Sequence, residues 1–379
     1  MSDYNSLLQK NSNSNILDAL SKIPYDYEHV PNITKNIPNR CISVDFLTPV
    51  SMPGPVPTKK GDRFEFDIPT EQFLKELTVV TAITSNADNT GLGSRLGSRL
   101  WSRMYIMQFG KILCLNNISY IVQRIADTDA DSQEYYNSIT DGTLNNNQVI
   151  FSTPFFAFFS DSEKNNLLLN YHRNLKFVIE WNGIAINAVT GFSVNLVVDR
   201  YCYDIEYINR FLKKVLEDEI RLTYFGYGIV SFNSPIIAGQ NTATIEITGK
   251  YLARSFNASI FKSTLSNGTI QNNGLTLEIM NLQLTHDGGK NDFNLMKQDV
   301  LRLQGKDKPA NFGLTELSYY CGSRDRTYNS GSIDLSQGSY FLTVTFEDPM
   351  GPALLEVNIE TIQIIDSDKN GVFNIELLH

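Results

Sequence analysis

The sequence lacks any apolar run long enough to cross a bilayer as a helix, and it is poor in cysteine. Even the aromatic stretch FFAFF at residues 155–159 is far shorter than the ~18 apolar residues of a membrane span. Four cysteines are scattered without a CxxC pair, at Cys41, Cys114, Cys202 and Cys321. This spacing fits neither a zinc site nor a dense disulfide framework, so we expect buried, reduced thiols. The polar start MSDYNSLLQKNSNSN also lacks the basic end and apolar stretch of a secretory signal.

Basic charge and catalytic patterns are scarce as well. The 379 residues carry 32 Lys and Arg against 41 Asp and Glu, a formal net charge of −9, which argues against a protein that coats nucleic acid through phosphate contacts. The histidines are His29, His172, His286 and His379, and no two are spaced as metal-ligand pairs. No GxSxG nucleophile elbow occurs, and no motif pairs the carboxylates. We therefore predict that the protein is not an enzyme and has no catalytic residues and no cofactor.

The glycine-rich stretch GLGSRLGSRLWSRM at residues 91–104 invites comparison with a dinucleotide-binding loop. Its first two glycines fit GxGxxG, but the third position is Leu96 and no alternation of strands and helices surrounds it. The same stretch places Arg95, Arg99 and Arg103 four residues apart, which clusters them on a helix or in a loop. We consider two interpretations, a solvated loop and a subunit contact to carboxylates or to a membrane surface.

The C-terminal segment DSDKNG resembles half of a calcium loop. Asp366, Asp368, Asn370 and Gly371 match its first positions, but the twelfth position is Leu377 rather than a carboxylate. The flanking segments read as strands, and Asn-Gly suits a hairpin turn that needs positive φ. We therefore predict a hairpin turn without a metal. Asp366, Asp368 and Asn370 are the candidate ligands if a metal does bind.

Short runs of β-branched and aromatic residues bounded by Gly, Asn, Asp and Pro dominate the chain and predict strands. ISYIVQRI at residues 118–125 is among these predicted strands. Helical spacing predicts helices near residues 131–139, 205–220 and 291–303. The order of strands and helices recurs about 160 to 165 residues apart, which is typical of a duplicated unit. Many short antiparallel strands in each half favour a two-sheet sandwich, because each strand has one face to bury.

We therefore predict an all-β fold with a few short helices, made of two tandem eight-stranded antiparallel jelly-roll sandwiches. The predicted domains are an N-terminal arm with an amphipathic helix at 1–38, a first jelly roll at 39–204, a connecting helix at 205–220 and a second jelly roll at 221–379. The arm has an apolar stripe, which we expect to lie against a neighbouring molecule or a membrane.

Two such sandwiches in tandem, each with a late helix, resemble the double jelly-roll major capsid proteins of tailless icosahedral DNA viruses. Element order and size across residues 40–379 carry the resemblance, and no single motif does. The resemblance implies a structural virion protein that forms homotrimeric, pseudo-hexagonal capsomers. Its implied partners are neighbouring capsomers, minor capsid proteins and an internal viral membrane, without sequence-specific binding to nucleic acid. It also implies assembly inside the host cell and location in the virion.

Aromatic residues near the junction of the two halves are the remaining interface candidates. Tyr201 and Tyr203 flank this junction, and Tyr224 and Tyr227 follow it, so a neighbouring subunit can clamp the hinge there. The alternative is that these rings fill the two cores. Two other functions stay open at this point: a two-domain β-sandwich adhesin or carbohydrate-binding protein, and a β-sandwich hydrolase.

Overall fold

The computed structural model describes most of the chain from Cys41 onward. The described residues are 41–377, with gaps at 93–95, 129, 143, 161–165, 218–221, 267–268, 278, 288, 297–315, 322–330 and 347–351. The predicted arm at 1–38 lies outside the described residues.

The first jelly roll consists of two facing antiparallel sheets. One has the strand order β1-β9-β3-β6, with β7 on β3, and the other has the order β2-β8-β4-β5. Alternation along β3 explains the packing, because Leu77, Val79 and Ile83 are buried while Thr78 and Val80 on the other face are partly exposed. The strands are β1 Cys41–Leu47, β2 Arg63–Asp67, β3 Phe73–Ser85, β4 Trp101–Gln108, β5 Lys111–Asn117, β6 Gln148–Phe155, β7 Leu167–Leu168, β8 Leu175–Trp181 and β9 Val189–Cys202.

The second jelly roll repeats this topology. Its first sheet has the order β10-β19-β12-β13, with β16 and β17 on β12 and β20 on β19, and its second has the order β11-β18-β14-β15. In both halves the first strand pairs with the last long strand, which pairs in turn with the third. The strands are β10 Thr223–Ile236, β11 Thr242–Ile247, β12 Leu252–Ser266, β13 Thr269–Leu277, β14 Ile279–His286, β15 Lys290–Met296, β16 Glu316–Tyr320, β17 Ile333–Asp334, β18 Tyr340–Phe346, β19 Ala353–Ser367 and β20 Phe373–Leu377.

The described residues form three α-helices: α1 Ile118–Asp127, α2 Ala130–Thr140 and α3 Ile205–Glu217. The strand predicted at 118–125 is wrong, since this segment is α1. The Asn117 side chain caps the helix by accepting a hydrogen bond from the Tyr120 amide at 2.9 Å. Ile118, Ile121 and Ile125 are buried at helical spacing, so the β-branched residues pack from a helix rather than a strand.

The helix predicted at 291–303 is also wrong over its described part. Residues from Lys290 to Met296 form β15, which pairs with β14. Phe293 and Leu295 point inward toward the second core, while Asp292, Asn294 and Met296 are exposed. This period of two suits a strand. Residues 297–303 lie outside the described part of the chain.

Each jelly roll has its own core, and the two cores differ in composition. The first is rich in aromatic side chains, such as Trp101 and Trp181, whose rings lie edge to face 5.5 Å apart. The second consists mainly of Ile, Leu, Val and Phe. The first core also includes Tyr224, Ile365 and Phe373 from the second half of the chain. The two jelly rolls are therefore joined by buried contacts.

Candidate assembly surfaces and the contact between the jelly rolls

The turn between β19 and β20 is organised by Asp368. Its side chain accepts hydrogen bonds from the amides of Asn370 at 2.8 Å and Val372 at 2.9 Å. Gly371 has φ +74°, which an L residue rarely adopts. Residues 368–371 of the calcium-like motif thus form a hairpin turn, in which the Asp368 carboxylate binds backbone amides. Among the described residues, no group of three or more His, Cys, Asp or Glu side chains is placed to hold a metal, and Asp366 lies on β19.

This turn docks against the first jelly roll. We name residues 368–373 the C-terminal clasp. The Tyr171 hydroxyl donates to the Asp368 carbonyl at 2.6 Å. The Gln108 side-chain amide donates to the Gly371 carbonyl at 3.0 Å and accepts from the Phe373 amide at 2.8 Å. Every partner of the clasp in these three bonds comes from β4 or from the segment after β7, so the second half of the chain is fixed to the first.

His172 lies at the centre of the clasp contact. Its Nδ1 is 3.1 Å from the Gly371 carbonyl, its Nε2 is 2.9 Å from the Tyr224 hydroxyl, and its ring stacks on Phe373 with centroids 4.0 Å apart. A neutral imidazole satisfies both bonds, with Nδ1–H donating to the carbonyl and Nε2 accepting from the hydroxyl. Burial lowers the pKa of His172 from 6.5 to about 3, so the ring is neutral at physiological pH.

A second contact runs from the start of α1 to β19. The amides of Asn117 and Asn358 pair reciprocally at 2.8 and 3.0 Å, and the Ser231 hydroxyl donates to Asn358 at 2.7 Å. Ser119 hydrogen-bonds the carboxyl group of Glu356. Burial raises the pKa of Glu356, against the smaller effect of this hydrogen bond. These buried polar groups are partnered across the two halves, which specifies one arrangement of the jelly rolls.

A buried ion pair extends this contact. The Arg254 guanidinium lies 2.6 Å from the Glu360 carboxylate, and both side chains are 2% exposed. The Tyr120 hydroxyl of α1 donates to the same carboxylate at 3.2 Å, and the guanidinium lies 4.7 Å from the ring centroid of Tyr227. Removing one partner of such a pair leaves a buried charge without compensation and is strongly destabilising. Tyr227, considered in the sequence as an interface residue, belongs to this internal contact.

The outer face of the sheet β1-β9-β3-β6 carries exposed apolar side chains. Ile42, Val44 and Phe46 point outward from the edge strand β1, and Phe46 is 71% exposed. On β6 at the other side, Ile150 is 61% exposed. The partly exposed side chains of Val80, Ala82 and Val197 lie between them, as the strand register places Phe46 opposite Val197 and Ala82 opposite Ile150. We name these seven residues the apolar outer face.

Two carboxylates lie next to the apolar outer face. Glu76 and Asp199 are directly paired across β3 and β9, and Asp199 also pairs with Val44 on β1. Burial, and then repulsion from Asp199, raises the pKa of Glu76, while Lys75 partly offsets both effects. Like charges directly opposite one another destabilise a sheet.

The three arginines singled out in the sequence have different surroundings. Arg95 lies outside the described residues. Arg99 ends a 3-10 turn, and its guanidinium donates to the Leu92 carbonyl at 2.6 Å. Arg103 is exposed on β4, with its guanidinium 5.8 Å from the Tyr105 ring centroid. The change from a 3-10 turn to a strand between Arg99 and Arg103 prevents a helical stripe.

Tyr201 and Tyr203 are not available to a neighbouring subunit. They are 4% and 7% exposed within the single chain and belong to the first core. Tyr203 packs edge to face on Phe73 at 5.4 Å and lies 5.6 Å from the ring of Tyr207 on α3. The interpretation of Tyr201 and Tyr203 as exposed interface residues is wrong, because the helix after β9 packs over this end of the sheet.

Cys41 also differs from expectation, since it is exposed, whereas Cys114 is buried.

The helices were also compared with the length that a membrane span requires. No helix in the described part of the chain has the length and apolar character needed to traverse a bilayer.

Comparison with known proteins finds likeness in structure but not in sequence. No protein-family model matches the chain, and no curated protein matches it. The chain is similar to PBCV-1 VP54, in a structure fitted into a reconstruction of the virophage Sputnik, with a TM-score of 0.69 and 12% identity over 92% of this chain and 99% of that one. It is also similar to the faustovirus major capsid protein, with a TM-score of 0.58 and 9% identity over 88% and 92% of the two chains. The mavirus major capsid protein follows with a TM-score of 0.50 and 14% identity over 94% and 95%.

At these identities the likeness establishes the fold. The paired sheet orders and the coverage of both halves agree with the predicted class. The chain therefore has the double jelly-roll fold of the major capsid proteins of icosahedral viruses.

Proposed function

We propose that the chain is a structural subunit of an icosahedral virion shell, without catalytic activity. One observation carries this proposal: the match to capsid proteins includes both jelly rolls and nearly the whole length of each chain. A protein that shares only a sandwich domain with another does not match over two sandwiches and their connection. The virion is its proposed location, after assembly inside the host cell.

The inter-domain contacts suit a building block of a shell. The C-terminal clasp, the Asn117–Asn358 pair and the buried Arg254–Glu360 pair each join or border both halves of the chain. We propose a first jelly roll at 39–204, a connecting helix at 205–220 and a second jelly roll at 221–379. The contacts between the two jelly rolls hold them in one relative orientation, so each subunit has two similar lobes.

We further propose that the apolar outer face packs against a second copy of the chain within a homotrimer. An edge strand with exposed Ile, Val and Phe promotes aggregation unless another surface covers it. Closed rotational symmetry lets one such surface be covered in each subunit, and three two-lobed subunits form a pseudo-hexagonal block. Arg103, exposed on the other sheet, is a candidate contact to neighbouring capsomers. The arm at 1–38 is a candidate contact to a neighbour, a minor capsid protein or an internal membrane.

Light scattering during size-exclusion chromatography tests the proposal. We expect a mass near three times 42.8 kDa for the unaltered chain. Phe46→Asp places a charge on the apolar outer face and should shift the mass to that of one chain. The control Ile237→Asp changes a side chain of the second jelly roll that is 72% exposed, and it should leave the mass unchanged.

Three results would contradict the proposal or one of its parts. A monomer at every concentration, with no larger assembly at any salt concentration or pH, rejects the capsid function. Reproducible binding of the monomer to a glycan array, again without assembly, favours the adhesin or carbohydrate-binding alternative. A trimer that Phe46→Asp leaves intact rejects the apolar outer face as its interface.

A further inference from the structure

Two cysteines far apart in the sequence are opposite one another on neighbouring strands. Cys41 is the first residue of β1 and Cys202 the last of β9, and they are direct partners in the antiparallel register. The Cys41 thiol donates to the Cys202 carbonyl at 3.8 Å, across a separation of 161 residues. Directly opposed residues of antiparallel strands have Cα atoms roughly 4.5 to 5.5 Å apart. That separation lies within the range of about 4.4 to 6.8 Å that a disulfide spans.

This pair combines cross-strand geometry with access, whereas Cys321 is partly exposed but has no cysteine opposite it in the strand register of the described residues. Cys41 is exposed and Cys202 is partly exposed, so small thiol reagents reach the pair. Cys114 is buried and donates to the Phe156 carbonyl at 3.6 Å. Burial raises the pKa of Cys321 to about 12, which leaves almost no thiolate to react. Burial also raises the pKa of Cys202, against the opposing effect of the Arg200 guanidinium, so the exposed Cys41 is the thiol that attacks first.

We propose that Cys41 and Cys202 are a redox-sensitive pair that closes into a cross-strand disulfide on exchange with a low-molecular-weight disulfide such as oxidised glutathione. In the first step, the Cys41 thiolate attacks one sulfur of the reagent, forms a mixed disulfide and releases one small thiolate. In the second step, the Cys202 thiolate attacks the Cys41 sulfur and releases the other small thiolate. The two cysteines lose two protons and two electrons, and the reagent is reduced to two thiols.

The disulfide would fasten the edge strand that carries the exposed apolar residues. Ile42 and Val44 follow Cys41 directly on β1, and β1 pairs only with β9 among the described strands. Reducing conditions inside a cell keep the pair open, whereas an oxidising exterior closes it. Closing it fixes β1 at its first residue, where an edge strand otherwise frays. This inference does not depend on the proposed capsid function, because the geometry lies within one chain.

The experiment exposes the folded full-length chain to a mixture of oxidised and reduced glutathione and maps its disulfides by mass spectrometry without reduction. We expect one linked pair of peptides, Cys41 with Cys202, and a rise in the thermal unfolding temperature by about 5 °C or more. Cys41→Ser and Cys202→Ser should each lose both effects, and Cys114→Ser should keep them. Circular dichroism of each variant establishes that it is folded before the comparison.

Three results would overturn the proposal. One is glutathione remaining on Cys41 as a stable mixed disulfide in the folded chain. Another is a covalent dimer through Cys41 on a non-reducing gel, in place of the intramolecular link. The third is a Cys41–Cys202 link that forms only after unfolding in urea.

Discussion

His172 should make the contact between the jelly rolls sensitive to acid. Its pKa is lowered from 6.5 to about 3 by burial against the C-terminal clasp, so the folded protein holds the ring neutral. The unfolded chain takes up a proton below about pH 6.5, and the folded chain does not until about pH 3. The stabilising contribution is therefore complete above pH 6.5 and is lost as the pH falls toward 3.

The size of the effect follows from this difference. Each pH unit between the two pKa values changes the free energy of unfolding by about 1.4 kcal/mol. Between about pH 7.5 and pH 5, the contribution of His172 falls by about 2 kcal/mol. Glu76 and Glu356 have raised pKa values and act in the opposite direction. They are common to the unaltered chain and a His172 variant, so their effect cancels in the difference between the two proteins.

The assay is urea unfolding of the unaltered chain and of His172→Gln at about pH 7.5 and pH 5. Trp101 and Trp181 lie in the first core, so their fluorescence reports the jelly roll that contains His172. A glutamine can donate to the Gly371 carbonyl and accept from Tyr224 without titrating. We expect the unaltered chain to lose about 2 kcal/mol more than His172→Gln over this pH interval.

The control Tyr224→Phe removes the hydroxyl 2.9 Å from His172 Nε2 and keeps the imidazole. This variant should be less stable at both pH values but should keep the pH dependence of the unaltered chain. Equal pH dependence in the unaltered chain and His172→Gln would refute the reasoning. So would an NMR titration that gives His172 a pKa near 6.5 in the folded protein.

Three further predictions concern other parts of the chain. Gly371→Ala should lower the free energy of unfolding in urea by about 2 to 4 kcal/mol. The φ of Gly371 is +74°, and the added Cβ would lie 2.1 Å from the Tyr171 carbonyl oxygen. Unchanged stability would contradict this prediction. Glu76→Gln should raise the free energy of unfolding by up to ~1 kcal/mol at about pH 7, where the Glu76 carboxylate is charged and faces Asp199. Below the ordinary pKa of 4.5 the variant should be as stable as the unaltered chain, because Glu76 is then protonated in both the folded and the unfolded state. An equal gain at both pH values would count against repulsion from Asp199. Deleting residues 1–38 should leave circular dichroism and the unfolding transition intact while reducing assembly by light scattering, and loss of folding would place the arm in the core.

Local pattern was sufficient for most strands and for the turns. Alternation along β3 and β18 predicts strands because every second side chain must be buried. The Asn-Gly pair predicts the hairpin between β19 and β20 because the turn needs positive φ. Where β-branched residues occur at helical spacing, as in α1, or where polar residues separate two apolar ones, as in β15, both patterns are locally plausible. Packing decided these two segments, and the sequence-based predictions for both were wrong.

The sequence by itself determined the class of the fold, because duplicated runs of alternating apolar residues leave few ways to bury one face of each strand. Only the tertiary structure decided which side chains meet. Asn117 and Asn358 are 241 residues apart, and nothing local marks them as partners. The clasp gives the DSDKNG turn its place against Tyr171, and α3 covers Tyr203. The strand register alone puts Cys41 opposite Cys202. These contacts depend on long-range register and on the docking of two jelly rolls, which no short window of sequence contains.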